Sequence, residues 1–202
     1  MQERIKRIID FILSLGGILL LLPIFFIISI LILIESKGGV LFKQIRVGQY
    51  GKDFVLYKFR TMKPHSEKLG QLTIGTSDNR ITRIGKLLRR FKLDETPQLL
   101  NVIKGNMSLV GPRPEVRKYV DMYTAQQLEV LNVKPGITDY ASIKYFNENE
   151  LLGKSANPEK TYITTIMPEK LAINLEYAQK HDLGRDFTIL WTTFLRILHL
   201  KR

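Results

Sequence analysis

Asp94 and Glu95 stand side by side in the most basic stretch of the chain, within Lys92-Leu93-Asp94-Glu95-Thr96-Pro97-Gln98-Leu99-Leu100-Asn101. Arg80, Arg83, Lys86, Arg89, Arg90 and Lys92 come just before them, and Arg113 follows in Gly111-Pro112-Arg113-Pro114. Carboxylates among so many cations are either ion-paired for structure or kept ionised for chemistry on something phosphorylated. Thr96-Pro97 predicts a helix start, because threonine caps well and proline is favoured at the first helical position. Leu99, Leu100 and Ile103 supply its apolar side and Gly105 its end. The two acids then lie just ahead of a helix N-terminus. Acids there complement the helix dipole, and the same terminus can help bind a phosphate. Arg113 sits between two prolines of fixed φ, and Pro114 pushes it towards an extended backbone. So stiff a backbone pre-positions a guanidinium fork that matches phosphate oxygens. Without the acids nearby, the same motif reads as a rigid surface turn.

The rest of the chain must position these groups. Its 202 residues suffice for one domain with a modest core, and its formal charge of +12 favours anionic partners: nucleic acid, anionic lipid or phosphorylated metabolites. With no cysteine, disulfides and thiolate metal sites are excluded. His65, His181 and His199 are scattered, at no zinc-ligand spacing. No helix-turn-helix, zinc-finger or RNP-like motif supports a nucleic-acid partner.

From Phe11 to Ile34 no residue is charged. As a helix this stretch would run about 36 Å, enough to cross a bilayer. Apolar side chains surround its whole circumference, which argues against a core helix, and no small-residue site marks a cleaved signal peptide. Arg4, Lys6 and Arg7 precede it; Lys37, Lys43 and Arg46 follow. Both ends therefore carry the signal that retains a flank on the cytoplasmic side. Pro23, at the middle, has no N–H and obstructs the carbonyl of Leu19. Together these features favour a segment that enters the membrane, bends near Pro23 and returns to the same face, over a single crossing. Ser14 and Ser29 are the hydroxyls nearest the bend.

Beyond Gly38-Gly39, Val40 to Val47 and Phe54 to Met62 read as two strands joined by a hairpin loop. Residues 63–79 read as a loop. Ile81, Ile84, Leu87, Leu88 and Phe91 recur at helical spacing among basic residues, a pattern suited to an anionic membrane surface, although a solvated basic face would look alike. Lys134-Pro135-Gly136 predicts a turn, and residues 144–161 a loop. Leu171 to Lys180 reads as a helix. So does Phe187 to Arg202, whose Trp191 and basic end suit either core packing or an interface.

Taken in order, the motifs resemble those of the bacterial sugar transferases, the monotopic phosphoglycosyl transferase family. The likeness covers nearly the whole chain. It includes the apolar run with Pro23, Val40-Leu41-Phe42-Lys43-Gln44-Ile45-Arg46 and Tyr57-Lys58-Phe59-Arg60-Thr61-Met62. It continues through Leu93-Asp94-Glu95-Thr96-Pro97-Gln98-Leu99, Ser108-Leu109-Val110-Gly111-Pro112-Arg113-Pro114 and Lys134-Pro135-Gly136-Ile137-Thr138. The resemblance implies a mainly helical α+β fold. Residues 1–36 would form a reentrant membrane helix-hairpin. Residues 37–202 would form a catalytic domain, with a small β-hairpin and interfacial amphipathic helices around an active site at the cytoplasmic face of the bacterial plasma membrane. It implies transfer of a sugar-1-phosphate from a UDP-sugar to undecaprenyl phosphate, with release of UMP, as a first membrane-committed step of glycan synthesis. Mg²⁺ would assist, anionic lipid would be a partner, and a homodimer is left open.

By the same resemblance Asp94 is the nucleophile and metal ligand, and Glu95 handles protons or orientation. Arg113 holds a phosphate, with Arg89, Lys58, Arg60 and Gln98 as further binding positions. The surrounding arginines would keep Asp94 ionised. The chain departs from the family at Leu22 (serine is common before the bend proline), at Thr96, at Asp139-Tyr140-Ala141-Ser142-Ile143, and near Phe146, where an arginine is usual. The last two lie where sugar or nucleotide recognition is expected. The competing interpretation is a non-enzymatic basic membrane-surface adaptor, which would need no paired acids.

Overall fold

A computed structural model describes residues 2–64, 66 and 78–198. Most of the polar stretch 63–79, together with His65, His199 and the basic C-terminal end, lies outside the described residues.

The N-terminal segment is a single helix, α1 (Gln2–Glu35), with Pro23 inside it; the expected bend does not interrupt the helical assignment. Only Asp10, Ser14, Ile28 and Ile32 are buried along it, so a core-helix role is ruled out. Leu20 and Ile34 are 79% and 77% exposed, a surface suited to hydrocarbon rather than water. Neither serine serves the carbonyl freed by Pro23. Ser29 donates to the Phe25 carbonyl at 2.6 Å, and the buried Ser14 hydroxyl has no partner.

Both ends of α1 are tied to the same body. Near its start, the Arg7 guanidinium donates to the Val102 and Ile103 carbonyls at 2.5 and 2.7 Å. Asp10 accepts from the Ser108 hydroxyl at 2.7 Å, and Lys6 pairs with Asp186. Near its end, Ile28 and Ile32 pack with Phe59 and Leu88, and the rings of Phe25 and Phe59 meet edge to face at 5.3 Å.

Strands β1 (Leu41–Val47) and β2 (Asp53–Phe59) form the expected antiparallel hairpin, with Leu41 opposite Phe59 and Val47 opposite Asp53. Helix α2 (Arg83–Arg90) is capped by Thr82, and Glu35 of α1 accepts from its first amides, Arg83 and Ile84, at 2.5 and 3.0 Å. Its Leu88 is buried while Leu87 and Phe91 face outward.

The helix start expected at Thr96 comes earlier. Lys92 adopts a left-handed backbone (φ 56°), and a 3₁₀ segment, Leu93–Gln98, leads into α3 (Leu99–Lys104). Asp94 and Glu95 are therefore inside its first turn rather than ahead of it. The Thr96 hydroxyl donates back to the Leu93 carbonyl at 2.7 Å instead of capping a helix. Gly105 (φ 85°) ends α3 as expected.

Pro135-Gly136 is not a turn. Gly136 opens strand β4 (Gly136–Thr138), which pairs in parallel with β3 (Ser108–Val110). A Cβ on Gly136 would lie 2.1 Å from the Gly111 nitrogen, so the close approach of the two chains requires glycine.

The remaining body is helical: α4 (Arg117–Val120), α5 (Ala125–Leu128), α6 (Tyr140–Lys144), α7 (Glu148–Gly153), α8 (Pro158–Thr161), α9 (Met167–Gln179) and α10 (Leu183–Leu198). A π-turn, Tyr162–Ile166, joins α8 to α9. The stretch 144–161 is thus two short helices rather than a loop. Leu152 anchors them in the largest core cluster, with Tyr119, Tyr162, Ile166 and Leu171. Helix α10 packs into the core through the fully buried Ile189, and Trp191 lies on its exposed face.

Candidate active site

A cleft of about 430 Å³ opens between the hairpin, the 3₁₀ segment and helices α6, α7 and α10. It brings together Asp94, Glu95, Arg113, Arg89 and Lys58 from the sequence-based set. Asn101 of α3 sets the relative position of these elements. Its side chain donates to the Val55 carbonyl at 2.7 Å and accepts from the Tyr57 amide at 3.1 Å, fixing the dyad segment against β2.

Glu95 is held by cations. Lys58 reaches its Oε1 at 2.9 Å, while the Arg113 fork takes both oxygens, one at 2.9 Å. Burial alone would raise the Glu95 carboxyl, but Arg113 and Lys58 hold it well below the usual range. In return Glu95 raises the Arg113 guanidinium. Lys58 moves the other way, because burial of its amine outweighs the attraction of Glu95. The contact itself is a direct hydrogen bond, the geometry of a charge-assisted pair.

Asp94 differs. It is 8% exposed, and its Oδ1 is buried with no hydrogen-bond partner. Burial, then the charge of Glu95, pushes its carboxyl up, although Lys58, Arg89 and Lys92 pull it down. Desolvation is the larger effect, and of the cations that oppose it Lys58 is shared with Glu95. Arg89 lines the cleft from α2, where its Nε donates to the Thr61 hydroxyl at 2.9 Å.

Two expected binding residues are elsewhere. Arg60 donates to the carbonyls of Ser36 and Lys37 at 2.7 Å each, closing the end of α1 outside the cleft. Gln98 is 1% exposed, behind the dyad and absent from the cleft wall. Pro23 lies well away on the exposed course of α1.

Other groups at the site had gone unassigned. Asp139, fully buried, accepts from the Arg113 amide at 2.8 Å, the Asn174 amide group at 3.1 Å and the Ser142 amide. It locks the Gly-Pro-Arg-Pro loop to α6 and α9. Its only sequence signal was a departure from the family pattern. Arg46, visible in a matched motif, donates to the Pro114 carbonyl at 2.9 Å and lies 3.6 Å from Glu115. Lys170 bonds Glu148 at 2.7 Å on the far wall. Nothing in local sequence brings these three groups to their partners.

Among the described residues, no three acids or histidines converge into a metal site made by protein alone. The chemistry on offer is one buried carboxylate with an open oxygen, a second locked as the partner of a phosphate-type arginine, and a ring of cations.

Comparison with known proteins agrees with the motifs. Residues 1–200 match the bacterial sugar transferase family. An N-acetylgalactosaminephosphotransferase of Aeromonas hydrophila, named for UDP-N-acetylgalactosamine and undecaprenyl phosphate, is 36% identical over 96% of this chain and 44% of its own length. UDP-glucose:undecaprenyl-phosphate glucose-1-phosphate transferases of Xanthomonas campestris (34% identical, 97% of this chain, 39% of theirs) and Caulobacter vibrioides (33%, 96% and 69%) are also similar. The chain spans about half the length of the curated relatives it matches. With the match running from the first turn of α1 to the end of α10, the chain belongs to the bacterial sugar transferase family.

Proposed function

We propose that this chain transfers a sugar-1-phosphate from a UDP-sugar to undecaprenyl phosphate, with Asp94 as covalent nucleophile, to begin a bacterial surface glycan. The observation that carries this reading is the open, buried Oδ1 of Asp94 in a cationic cleft. A group so placed costs stability and has no use in a passive membrane adaptor.

In the first half-reaction an Asp94 oxygen attacks the sugar-bearing phosphorus. The bond from that phosphorus to the bridging oxygen breaks, and UMP departs with the bridging oxygen. An acyl phosphate joins Asp94 to the phosphosugar. In the second half, a phosphate oxygen of the lipid attacks the same phosphorus, and Asp94 leaves as carboxylate. Arg113, aligned by Glu95 and Asp139, and Arg89 hold phosphate oxygens, while Lys58 keeps Glu95 ionised. Glu95 serves in orientation, since its oxygens are already engaged by Arg113 and Lys58.

The residues fit Mg²⁺, a hard cation that needs only one or two carboxylates beside substrate phosphates. The unpartnered oxygen of Asp94 would hold it with the donor diphosphate. When bound it would neutralise charge that develops on the leaving phosphate.

The anchors of α1 support a reentrant membrane course. The dyad segment lies between α2, held by Glu35, and α3, held by Arg7. A crossing α1 would draw Lys92, Asp94 and Glu95 through hydrocarbon, at about 3 kcal/mol per charge. Entry and return at the cytoplasmic face avoids this cost.

The test uses purified protein in nanodiscs with undecaprenyl phosphate, Mg²⁺ and a panel of UDP-sugars. UMP release, and radiolabelled phosphosugar trapped on the protein when acceptor is withheld, are expected. Full transfer by Asp94→Asn would overturn the nucleophile assignment.

A further inference from the structure

Phe146 on the cleft wall carries two cations, Lys92 from the same wall and Arg196 from α10 at its rim. The Nζ of Lys92 lies 4.9 Å from the centroid of Phe146, and the Arg196 guanidinium carbon lies 5.8 Å from it. These three residues come from the dyad segment, the α6–α7 junction and α10. Three other cations of the cleft wall already face carboxylates: Arg113 and Lys58 bond Glu95, and Lys170 bonds Glu148. Among the described residues, neither Lys92 nor Arg196 has a carboxylate within ion-pair distance. Lys92 is also held on a left-handed backbone, a conformation that a lysine adopts at a cost unless the surroundings require it. Stacking on Phe146 orders both side chains while leaving their donors open.

We infer that Lys92 and Arg196, bracketed on Phe146, form an anion site for the phosphomonoester of an amphiphilic lipid substrate. This deepens the transferase reading and rests on it. The neighbouring surface favours a lipid phosphate over the donor diphosphate. Phe187, Trp191, Phe194 and Leu198 recur at helical spacing along α10 and are all more than half exposed. Ile197 continues the apolar side of the same helix into the cleft wall. A molecule with a charged head and a long apolar tail would place the head between Lys92 and Arg196 and the tail along α10.

The test titrates farnesyl phosphate into the full chain in detergent. Trp191, the only tryptophan, lies on the helix that carries Arg196 and is the fluorescent probe. Farnesol, inorganic phosphate and UMP serve as controls. Farnesyl phosphate should give a saturable change that farnesol and inorganic phosphate do not. The double variant Lys92→Ser, Arg196→Gln should weaken it about tenfold or more, as loss of charge-assisted contacts does. UMP affinity should stay within about twofold, below half a kcal/mol. Phe146→Leu should weaken farnesyl phosphate while Phe146→Tyr restores it, a rescue that a merely folded-state effect of position 146 would not give. Absence of a saturable response in the unmodified chain, or unchanged affinity in the double variant, would overturn the site. Loss of UMP binding with farnesyl phosphate unaffected would assign the cations to the donor and also overturn it. A chain that binds farnesyl phosphate but releases UMP from no UDP-sugar would instead count against the transferase reading alone.

Discussion

Asp94 and Glu95 are adjacent in the chain but sit in opposite electrostatic environments. Burial raises the Asp94 carboxyl, so its ionised form is a cost to the fold at neutral pH. A group with a raised folded pKa lends stability below its unfolded pKa and loses it as pH rises through the folded one. Asp94→Asn should therefore abolish transfer yet raise Tm by about 2–4 °C, measurable by calorimetry at pH 7. In the unmodified enzyme, transfer should fail on the acid side above the pH at which an ordinary aspartate protonates. Glu95 behaves oppositely. Its folded pKa is depressed, so its stabilisation is present above the usual glutamate range and fades as pH falls through the depressed value. Glu95→Gln should cost about 3–5 kcal/mol at pH 7, because it leaves Arg113 and Lys58 buried without their anion. The difference in Tm from the unmodified chain should shrink as pH falls. That both acids, Arg113, Arg89 and Lys58 share one cleft was legible from residue type and order. Arg60 and Gln98 lie off the cleft wall, which a motif does not reveal because it gives a position in the chain and not the direction of a side chain. Asp139 was unreadable as a partner of Arg113, since its role exists only once β3 and β4 lie side by side.

At the scale of elements, local patterns predicted what local physics determines. Alternation gave the hairpin, helical spacing gave α2 and α10, and Gly105 ended α3. The parallel pair β3–β4 was missed because parallel strands join through a long connection and each is only three residues long. Helices α7 and α8 were missed because their polar sequence hides one buried side chain, Leu152, behind the periodicity of an exposed surface. The start of the dyad segment was misplaced because Lys92 takes a left-handed backbone that glycine would have signalled. The Gly136 contact offers a direct test of what this pair does. A Cβ there would meet main-chain atoms of Gly111 and Val110, which belong to a fixed ladder. Gly136→Ala should cost roughly 3 kcal/mol or more, as overpacking against an immovable neighbour does. Because Gly111 leads straight into Arg113, the same variant should raise the KM for the donor. Thermal denaturation and donor titration together measure both effects.

At the scale of the molecule, α1 acts as a strap whose two ends grip the helices on either side of the dyad. Arg7 satisfies the carbonyls that end α3, and Glu35 satisfies the amides that start α2. Each is a charged side chain on an orphan helix terminus, placed where the macrodipole favours its sign. The apolar course between them is exposed among the described residues, a surface suited to hydrocarbon. If the strap both enters and leaves at the cytoplasmic face, Gln2 and Ser36 lie on one side of the bilayer. The chain has no cysteine, so single cysteines at those positions are unique labels. In inside-out vesicles both should react with a membrane-impermeant maleimide, and in intact spheroplasts neither should. Reaction of one position from the outer side would establish a crossing and overturn the reentrant course. The charge pattern predicts the same result independently, since Arg4, Lys6 and Arg7 at one end and Lys37 and Lys43 at the other both resist translocation.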